Sequence, residues 1–390
     1  MSVQDLTLAS GLAGQLLITA ATGGARGVKS SIEEMIDEMQ NKVRDYILPP
    51  GLFSGLAGVD YAINEGLKAL QASRDERISY HSEVVKFYLD YLDTESSRSE
   101  YDVISGLAGI GLWACTLDDK ENGSKIADKI LKALDETKCD LLHARVAWET
   151  PVRREIVSGK KQREAKDDYN LGLAHGVPGV LLFISLAFGK GLFSDKKLAK
   201  DLIDGIVHFL ADQMNDEGEK GIGIFGHSTY NRDISRMAWC YGDPGVAVAI
   251  SVAHEYLPSD ITKNIVLRLT ESISNRTFME SGCIDGGICH GTTGVLMIVK
   301  WLRMLHESLI SLKCVATWAE YLNLHESHTW YKPSRLIWEL SVGDWVSTPG
   351  YLNGVDGIRA LKIVNSNTEC WNWAIARPLG LFDLAESENV

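Results

Sequence analysis

Cys240, Cys289 and His290 have the residue types and the spacing of a zinc site. Cys240 stands two residues before Gly242, Cys289 stands two residues before Gly291, and His290 follows Cys289 directly. Both glycines begin a Gly-x-x-Gly pattern that precedes an apolar run, so the two cysteines occupy equivalent positions in successive repeats. Two thiolates and one imidazole suit zinc and leave its fourth tetrahedral position open, as in catalytic sites. A thiol that enters this position loses its proton at neutral pH and becomes a nucleophile.

Other polar residues next to such glycines are weaker candidates. His175 precedes Gly176 and can exchange a proton with a reacting carbon or its enolate. Four more can orient or assist the reacting groups: Asp102, Arg236, Tyr241 and Asp243. Taken singly, each of these residues is more often a capping, pairing or hydrogen-bonding residue. The other five cysteines are interpreted as packing residues: Cys115, Cys139, Cys283, Cys314 and Cys370.

The Gly-x-x-Gly pattern followed by an apolar run occurs seven times and organises the whole chain. We number these glycine loops one to seven: Gly11–Gly14, Gly55–Gly58, Gly106–Gly109, Gly176–Gly179, Gly242–Gly245, Gly291–Gly294 and Gly354–Gly357. Each interval has room for two helices. Segments before the loops are amphipathic, whereas segments after them are apolar nearly all round and must be buried on most sides. The sequence therefore predicts an all-α fold, an α/α toroid of seven inner and seven outer helices in a single domain over residues 1–390.

Two amphipathic segments illustrate the expected outer helices. In the segment 31–47 the apolar residues follow a 3.6-residue period that ends at Ile47, with Ser31 and Glu34 as a capping box. The segment 197–210 repeats this period. Pro178 and Pro244 stand where the first turns of inner helices accept proline.

All seven loops of such a toroid meet at one end, at the N-termini of the inner helices. The functional surface is expected there, because backbone N–H groups and helix dipoles stabilise negative charge. The repeats alone favour a simpler interpretation, a helical scaffold whose glycines only allow close packing. Residues 139–168 break the repeat and are basic in an acidic protein. They are interpreted as an inserted hairpin or small lobe and a candidate peptide-docking site, with a solvated loop as the alternative.

Composition excludes some classes of function. The net charge of −13 argues against a nucleic-acid binder. The apolar stretch 8–21 lacks the basic start of a signal peptide and is interpreted as the first helix, and no run is long enough to span a membrane. Seven scattered cysteines do not form a disulfide framework, so a reducing cytosol is expected.

Five motifs resemble the lanthionine synthetase C-like family, the cyclases of lantibiotic biosynthesis. The most specific are the Trp-Cys-Tyr-Gly motif at 239–242 and the Cys-His-Gly motif at 289–291, in successive repeats. Leu-Ala-His-Gly at 173–176, Tyr-Asp-Val-Ile-Ser-Gly at 101–106 and Tyr-Leu-Asn-Gly at 351–354 support them. The likeness extends from the first glycine loop to the last and covers nearly the whole chain.

The resemblance implies a seven-fold α/α toroid that holds Zn²⁺ through Cys240, Cys289 and His290. It implies that zinc activates a cysteine of a dehydrated precursor peptide, whose sulfur adds to dehydroalanine or dehydrobutyrine and closes a thioether ring. His175 matches the family's proton carrier, while Asp102, Arg236 and Tyr241 match its supporting residues. The resemblance also implies a complex with a dehydratase and a transporter. Through this complex a cytoplasmic enzyme can associate with the membrane.

Three alternatives change the function, two on this scaffold and one on a related barrel. One is an enzyme of this family that adds glutathione or a protein thiol to an unsaturated acceptor. Another is a non-catalytic subunit that binds peptide within a biosynthetic complex. The third, a zinc prenyltransferase on a related barrel, fits the metal ligands but has no support from the motifs.

Overall fold

The computed structural model describes residues 3–22, 27–149, 168–215, 223–327, 337–339, 344–346, 348–366 and 373–384. In chain order its helices are α1 (Leu12–Ala21), α2 (Val28–Val43), α3 (Leu56–Ala69), α4 (Arg74–Tyr91), α5 (Leu107–Ala114), α6 (Lys120–Thr137), α7 (Val177–Gly189), α8 (Lys196–Asp212), α9 (Asp243–Tyr256), α10 (Asp260–Asn275), α11 (Phe278–Ser281), α12 (Thr292–Leu305), α13 (Leu312–Ser327), α14 (Val355–Ser366) and α15 (Trp373–Ala376). Strands β1 (Cys139–Leu141) and β2 (Arg145–Ala147) form one antiparallel hairpin, and β3 (Ile337–Glu339) and β4 (Asp344–Val346) form another.

Buried and half-exposed helices alternate along the chain, as predicted. In α7 every residue from Val177 to Ala187 is buried. The next helix, α8, buries only one face, which includes Leu202, Ile206 and Leu210. Because α7 is surrounded by protein and α8 is not, the two belong to an inner and an outer layer. Pro178 and Pro244 lie in the first turns of α7 and α9, where no intrahelical N–H bond is lost.

The inner helices form a closed ring. Each of α1, α3, α5, α7, α9, α12 and α14 contacts the next, and α14 contacts α1. Outside them α2, α4, α6, α8, α10 and α13 each pack on the inner helix before them. The all-α toroid with its seven inner helices is therefore confirmed, and six of the seven expected outer helices lie within the described residues. Within the described ranges, the last inner helix is followed by the short α15 and a 3-10 turn, Arg377–Leu379.

The start and end of α2 differ from the prediction. Gly27 caps this helix in the left-handed region, at φ 96°, so the helix begins at Val28. Ser31 therefore lies in the first turn, where its hydroxyl donates to the carbonyl of Gly27, and the expected capping box is wrong. The helix ends at Val43, and Ile47 is 97% exposed instead of completing the buried face.

Seven backbone hydrogen bonds join the seven glycine loops into a ring at one end of the barrel. Each carbonyl acceptor lies two residues before the first glycine of its loop, and six of the seven N–H donors lie at this same position. The bonds, 2.8–3.2 Å long, run Ala9 to Phe53, Phe53 to Ile104, Val103 to Ala174, Ala174 to Cys240, Cys240 to Cys289, Cys289 to Leu352 and Leu352 to Ala9. We call this the loop ring. It gives equivalent residues of neighbouring repeats direct backbone contact.

The chain's own C-terminal residues fill the middle of the barrel. Residues 375–384 contain six nearly inaccessible apolar side chains: Ile375, Ala376, Leu379, Leu381, Phe382 and Leu384. Three inward-facing side chains donate to carbonyl oxygens of this segment. Trp239 donates to Leu379 at 2.9 Å and Trp301 donates to Phe382 at 2.9 Å, while the Tyr351 hydroxyl donates to Ile375. Trp301 belongs to the inner helix α12, while Trp239 and Tyr351 precede the inner helices α9 and α14. Because all three bind the segment, it lies inside the ring of inner helices.

Part of the expected insertion is a hairpin. Strand β1 pairs with β2 in the register Cys139–Ala147, and β2 packs against the outer helix α8. The remainder of the expected insertion, from residue 150 to 167, lies outside the described residues. Among the helices that the structure describes, none combines the length and the apolar character that a membrane span requires.

Candidate metal centre and active site

Cys240, Cys289 and His290 lie together at the mouth of the barrel. Their ligand atoms, two Sγ and one imidazole nitrogen, are all within 4.8 Å of one another. The Cys240 residue is only 8% exposed, whereas the His290 side chain is 26% exposed. These three residues, called the metal cluster below, can hold a metal ion. Their donor set fits zinc because thiolates and imidazole are soft and borderline ligands.

The loop ring explains why these three residues converge. The N–H of Cys240 donates to the carbonyl of Cys289 at 3.1 Å, and the N–H of Cys289 donates to the carbonyl of Leu352 at 3.0 Å. Two side chains that leave directly bonded backbone positions need no long reach to meet. His290 is the next residue in the chain and supplies its ring beside them.

The charges of the two thiols are unequal. A hydrogen bond from the Cys289 thiol lowers the pKa of Cys240 to about 5, with His290 and Arg236 acting in the same direction. The same hydrogen bond and burial raise the pKa of Cys289 well above its ordinary value. Hydrogen bonding to Cys240 also raises the pKa of His290. The pair therefore shares one negative charge, which lies on Cys240.

A carboxylate supports the histidine of this cluster. Asp285 is fully buried, and its Oδ2 lies 3.6 Å from Nε2 of His290. Its Oδ1 accepts the N–H of Gly287 at 2.9 Å, which holds the carboxylate in place. A carboxylate behind a metal-binding histidine orients the ring and raises its basicity. Sequence reasoning missed Asp285, although it lies only four residues before Cys289.

His175 and Asp102 form a second pair on the adjacent loops. Nδ1 of His175 lies 2.5 Å from Oδ2 of Asp102. The other carboxylate oxygen of Asp102 accepts the N–H groups of Ser105 at 2.7 Å and Gly106 at 3.0 Å. Asp102 is therefore held rigidly and accepts a hydrogen bond from Nδ1–H of His175, which leaves Nε2 of the half-exposed ring for other partners.

Tyr241 lies between the metal cluster and the fourth glycine loop. Its hydroxyl oxygen is 2.7 Å from Nδ2 of Asn170, and its ring centroid is 5.3 Å from that of His227. Burial raises the pKa of Tyr241, and the charges of Cys240 and Asp102 act in the same direction. Tyr241 therefore keeps its proton at neutral pH. Sequence reasoning missed both Asn170 and His227, although Asn170 stands six residues before Gly176, the same repeat position as Asp285 before Gly291.

Arg236 places a positive charge beside the thiols. Its guanidinium contributes to lowering the pKa of Cys240 and of Cys289. Burial lowers the pKa of His227, and Arg236 adds to this effect, so the two side chains are close as well. The half-buried Arg236 is therefore near enough to the metal cluster to act on a charge that develops there.

Asp243 has a structural role that differs from the one considered from the sequence. Its buried carboxylate accepts the N–H groups of Ile224 and Phe225, each at 3.0 Å. It also accepts a hydrogen bond from Ser272 at 2.5 Å and lies 3.3 Å from Nη2 of the buried Arg276. These contacts fasten the start of α9 to α10 and to the segment that follows residue 222.

The site residues therefore belong to four consecutive loops. Asp102 precedes loop three, His175 precedes loop four, Cys240 and Tyr241 precede loop five, and Cys289 with His290 precedes loop six. These loops are neighbours in the loop ring, so the residues share one arc of the barrel mouth.

Comparison with known proteins agrees with the sequence motifs. The family model described as lanthionine synthetase C-like protein matches residues 2–374. The chain is 25% identical over 386 residues to the nisin biosynthesis protein NisC of Lactococcus lactis subsp. lactis, covering 90% of this chain and 84% of that protein. The solved structure of a nisin cyclase superposes with a TM-score of 0.73 at 20% identity and covers 99% of this chain and 95% of that chain. The family match spans almost the entire sequence, and the chain belongs to the lanthionine synthetase C-like family.

Proposed function

We propose that this protein is a zinc-dependent peptide cyclase of lantibiotic biosynthesis. It adds cysteine thiols to dehydroalanine or dehydrobutyrine residues of a dehydrated precursor peptide and forms lanthionine or methyllanthionine rings. The observation that carries the proposal is the cluster of Cys240, Cys289 and His290 beside the Asp102–His175 pair on one arc of the loop ring. A relative named for nisin biosynthesis and a structural neighbour named nisin cyclase agree with it.

The three clustered side chains are the proposed zinc ligands. Zinc, when bound, lowers the pKa of a peptide thiol so that a thiolate is present at neutral pH. Three protein ligands leave room for this thiol. Asp285 orients His290 from behind, and Arg236 adds positive charge next to the sulfurs.

The protein's own side chains account for the remaining steps. When the thiolate adds to the alkene, negative charge develops on the carbonyl oxygen adjacent to it, and Arg236 and Tyr241 can stabilise this charge. The resulting enolate must be protonated at its α-carbon. Nε2 of His175 is the proposed proton carrier, because Asp102 holds the opposite nitrogen and stabilises the protonated ring.

The substrate is proposed to enter from the loop end only. The C-terminal segment 375–384 fills the barrel between its two ends, so a peptide cannot thread through. We propose a single toroid domain over the whole chain, in which the 139–168 region is an insertion that docks the peptide. A dehydratase and a transporter are the proposed partners, and they would bring a cytoplasmic enzyme to the membrane.

The test uses peptides that contain dehydroalanine or dehydrobutyrine and a cysteine, with and without a leader. Ring closure does not change the mass, so free cysteines are alkylated and counted by mass spectrometry after incubation with the zinc-loaded protein. Cysteines that become resistant to alkylation faster than with the Cys289→Ala variant support the proposal.

Glutathione added to the same assay separates the rival functions. An enzyme that adds glutathione produces a peptide with the added mass of glutathione and leaves the peptide cysteine free. A protein that binds the peptide but accelerates neither reaction is a scaffold subunit, and this result contradicts the proposal.

A further inference from the structure

The side chain of Asn170 has an orientation that its contacts determine. Its Oδ1 is 2.8 Å from the backbone N–H of Gly172, and its Nδ2 is 2.7 Å from the hydroxyl oxygen of Tyr241. A backbone N–H group can only donate, so the amide oxygen must face Gly172. The amide NH₂ therefore faces Tyr241 and donates to it.

The hydroxyl of Tyr241 is held as an acceptor by this contact. Within the described part of the chain, Asn170 is its only hydrogen-bonding partner. A phenol has one hydrogen, and the Asn170 NH₂ occupies a lone pair instead of taking that hydrogen. The hydroxyl hydrogen is therefore directed away from Asn170.

The Tyr241 ring is fixed from two sides, so its hydroxyl cannot move far. Gly172 lies against the ring, where a side-chain Cβ would meet ring carbons at 2.7 Å. The His227 ring lies on Tyr241 with 54° between the ring planes. Because Tyr241 follows Cys240 directly, this fixed ring stands beside the metal cluster.

We propose that Asn170 is a positioning residue that keeps the Tyr241 hydroxyl as a hydrogen-bond donor to the reacting carbonyl oxygen of the peptide. The inference rests on the proposed cyclase function. Thiolate addition gives this oxygen a negative charge, and a donor already oriented toward it stabilises the transition state. Tyr241 keeps its proton throughout, so the step requires no further proton acceptor.

The test reverses the direction of one hydrogen bond. In Asn170→Asp one carboxylate oxygen still accepts from Gly172, while the other accepts the Tyr241 hydrogen and removes it from the site. We expect the kcat of ring closure to fall by about 10²–10³-fold, to the level of Tyr241→Phe, with KM little changed. In Asn170→Ala the hydrogen remains available, so we expect a loss of about tenfold or less.

A purely structural role of Asn170 predicts the opposite order, because aspartate has the shape of asparagine and alanine does not. The added charge of aspartate is controlled by combining Asn170→Asp with Tyr241→Phe, which should lose little more than Tyr241→Phe alone. Zinc content is measured for every variant. If Asn170→Asp is more active than Asn170→Ala, or if the two effects add in the double variant, the inference is wrong.

A spectroscopic measurement separates this inference from the cyclase proposal. The tyrosine Raman doublet distinguishes hydroxyls that accept hydrogen bonds from those that donate, and Tyr241 is isolated by subtraction of the Tyr241→Phe spectrum. We expect an accepting hydroxyl in the wild type and a donating one in Asn170→Asp. A donating hydroxyl in the wild type overturns the inference even if the protein closes rings. Absence of ring closure with the expected Raman change contradicts the cyclase proposal alone.

Discussion

The backbone N–H of Cys240 donates to the carbonyl oxygen of Cys289 at 3.1 Å. Neighbouring helices in packed bundles are typically about 8–10 Å apart, and side chains on them must reach across that gap to meet. Here the loop ring replaces the gap with direct backbone contact. The geometry of the two thiols is therefore set by the closed ring and depends little on side-chain flexibility.

Removal of one thiol should release the metal. We expect Cys289→Ala to lose bound zinc together with ring closure, because the two remaining ligands cannot complete a tetrahedral site. Elemental analysis of the purified variant measures the zinc per chain. Cys115→Ala is the control, since this cysteine is buried at the C-terminal end of α5. The Cys115→Ala variant should keep its zinc. A Cys289→Ala protein that retains one zinc per chain contradicts the ligand assignment.

Asp102→Asn should slow ring closure without loss of zinc. The side-chain oxygen of asparagine would accept the two backbone N–H groups, so its NH₂ would donate to Nδ1 of His175 and reverse the tautomer of the ring. We expect a fall in kcat of about 10²–10⁴-fold, the usual contribution of an acid–base group. His175→Ala should lose a similar amount and also keep its zinc.

Asp118→Asn is a matched control, because Asp118 pairs with Arg77 and lies outside the metal cluster. Its ring-closure rate should equal that of the wild type. An unchanged rate for His175→Ala would remove this residue from the mechanism.

Zinc binding should release protons, and the number should depend on pH. At neutral pH Cys240, with a pKa of about 5, is already a thiolate, whereas Cys289 is still a thiol because its pKa is raised. Zinc binds both as thiolates, so Cys289 loses its proton on binding. As the pH falls, protons on His290 and then on Cys240 also compete with zinc, and the affinity decreases.

Titration calorimetry in buffers with different ionisation enthalpies counts these protons. We expect about one proton at pH 8 and a larger number at pH 6. Affinity that does not change between these values would contradict the charge distribution described above.

Trp239→Phe should weaken zinc binding through the C-terminal segment 375–384. The substitution keeps a ring against Phe53 but leaves the buried carbonyl of Leu379 without its donor. An unsatisfied buried carbonyl costs about 1–3 kcal/mol, which urea denaturation can measure. Because Trp239 precedes Cys240, we also expect a lower zinc affinity in competition with a chelator.

Trp301→Phe is the matched control. It loses the same type of hydrogen bond, to Phe382, but lies on α12 away from the ligands in sequence. Its stability should fall by a similar amount while its zinc affinity stays at the wild-type value. Equal zinc affinity in both variants would show that the segment does not support the metal site.

The sequence by itself determined the repeat, the alternation of buried and half-exposed helices, and the equivalent positions of Cys240 and Cys289. These features are local or periodic, because burial on all sides makes a helix such as α7 apolar throughout. The prediction of α2 was less accurate at its ends, where the left-handed Gly27 and the exposed Ile47 interrupt the apolar period.

Only the tertiary structure decided which polar residues meet. The contact of Asn170 with Tyr241 joins two neighbouring loops, whereas that of Asp285 with His290 lies within one loop, although both join the same two repeat positions. The sequence also does not reveal that residues 375–384 are buried inside the barrel. The groups that accept from Trp239 and Trp301 are backbone carbonyls, which every residue has. Such contacts depend on how the helices close into a barrel, and this closure is a property of all seven repeats together.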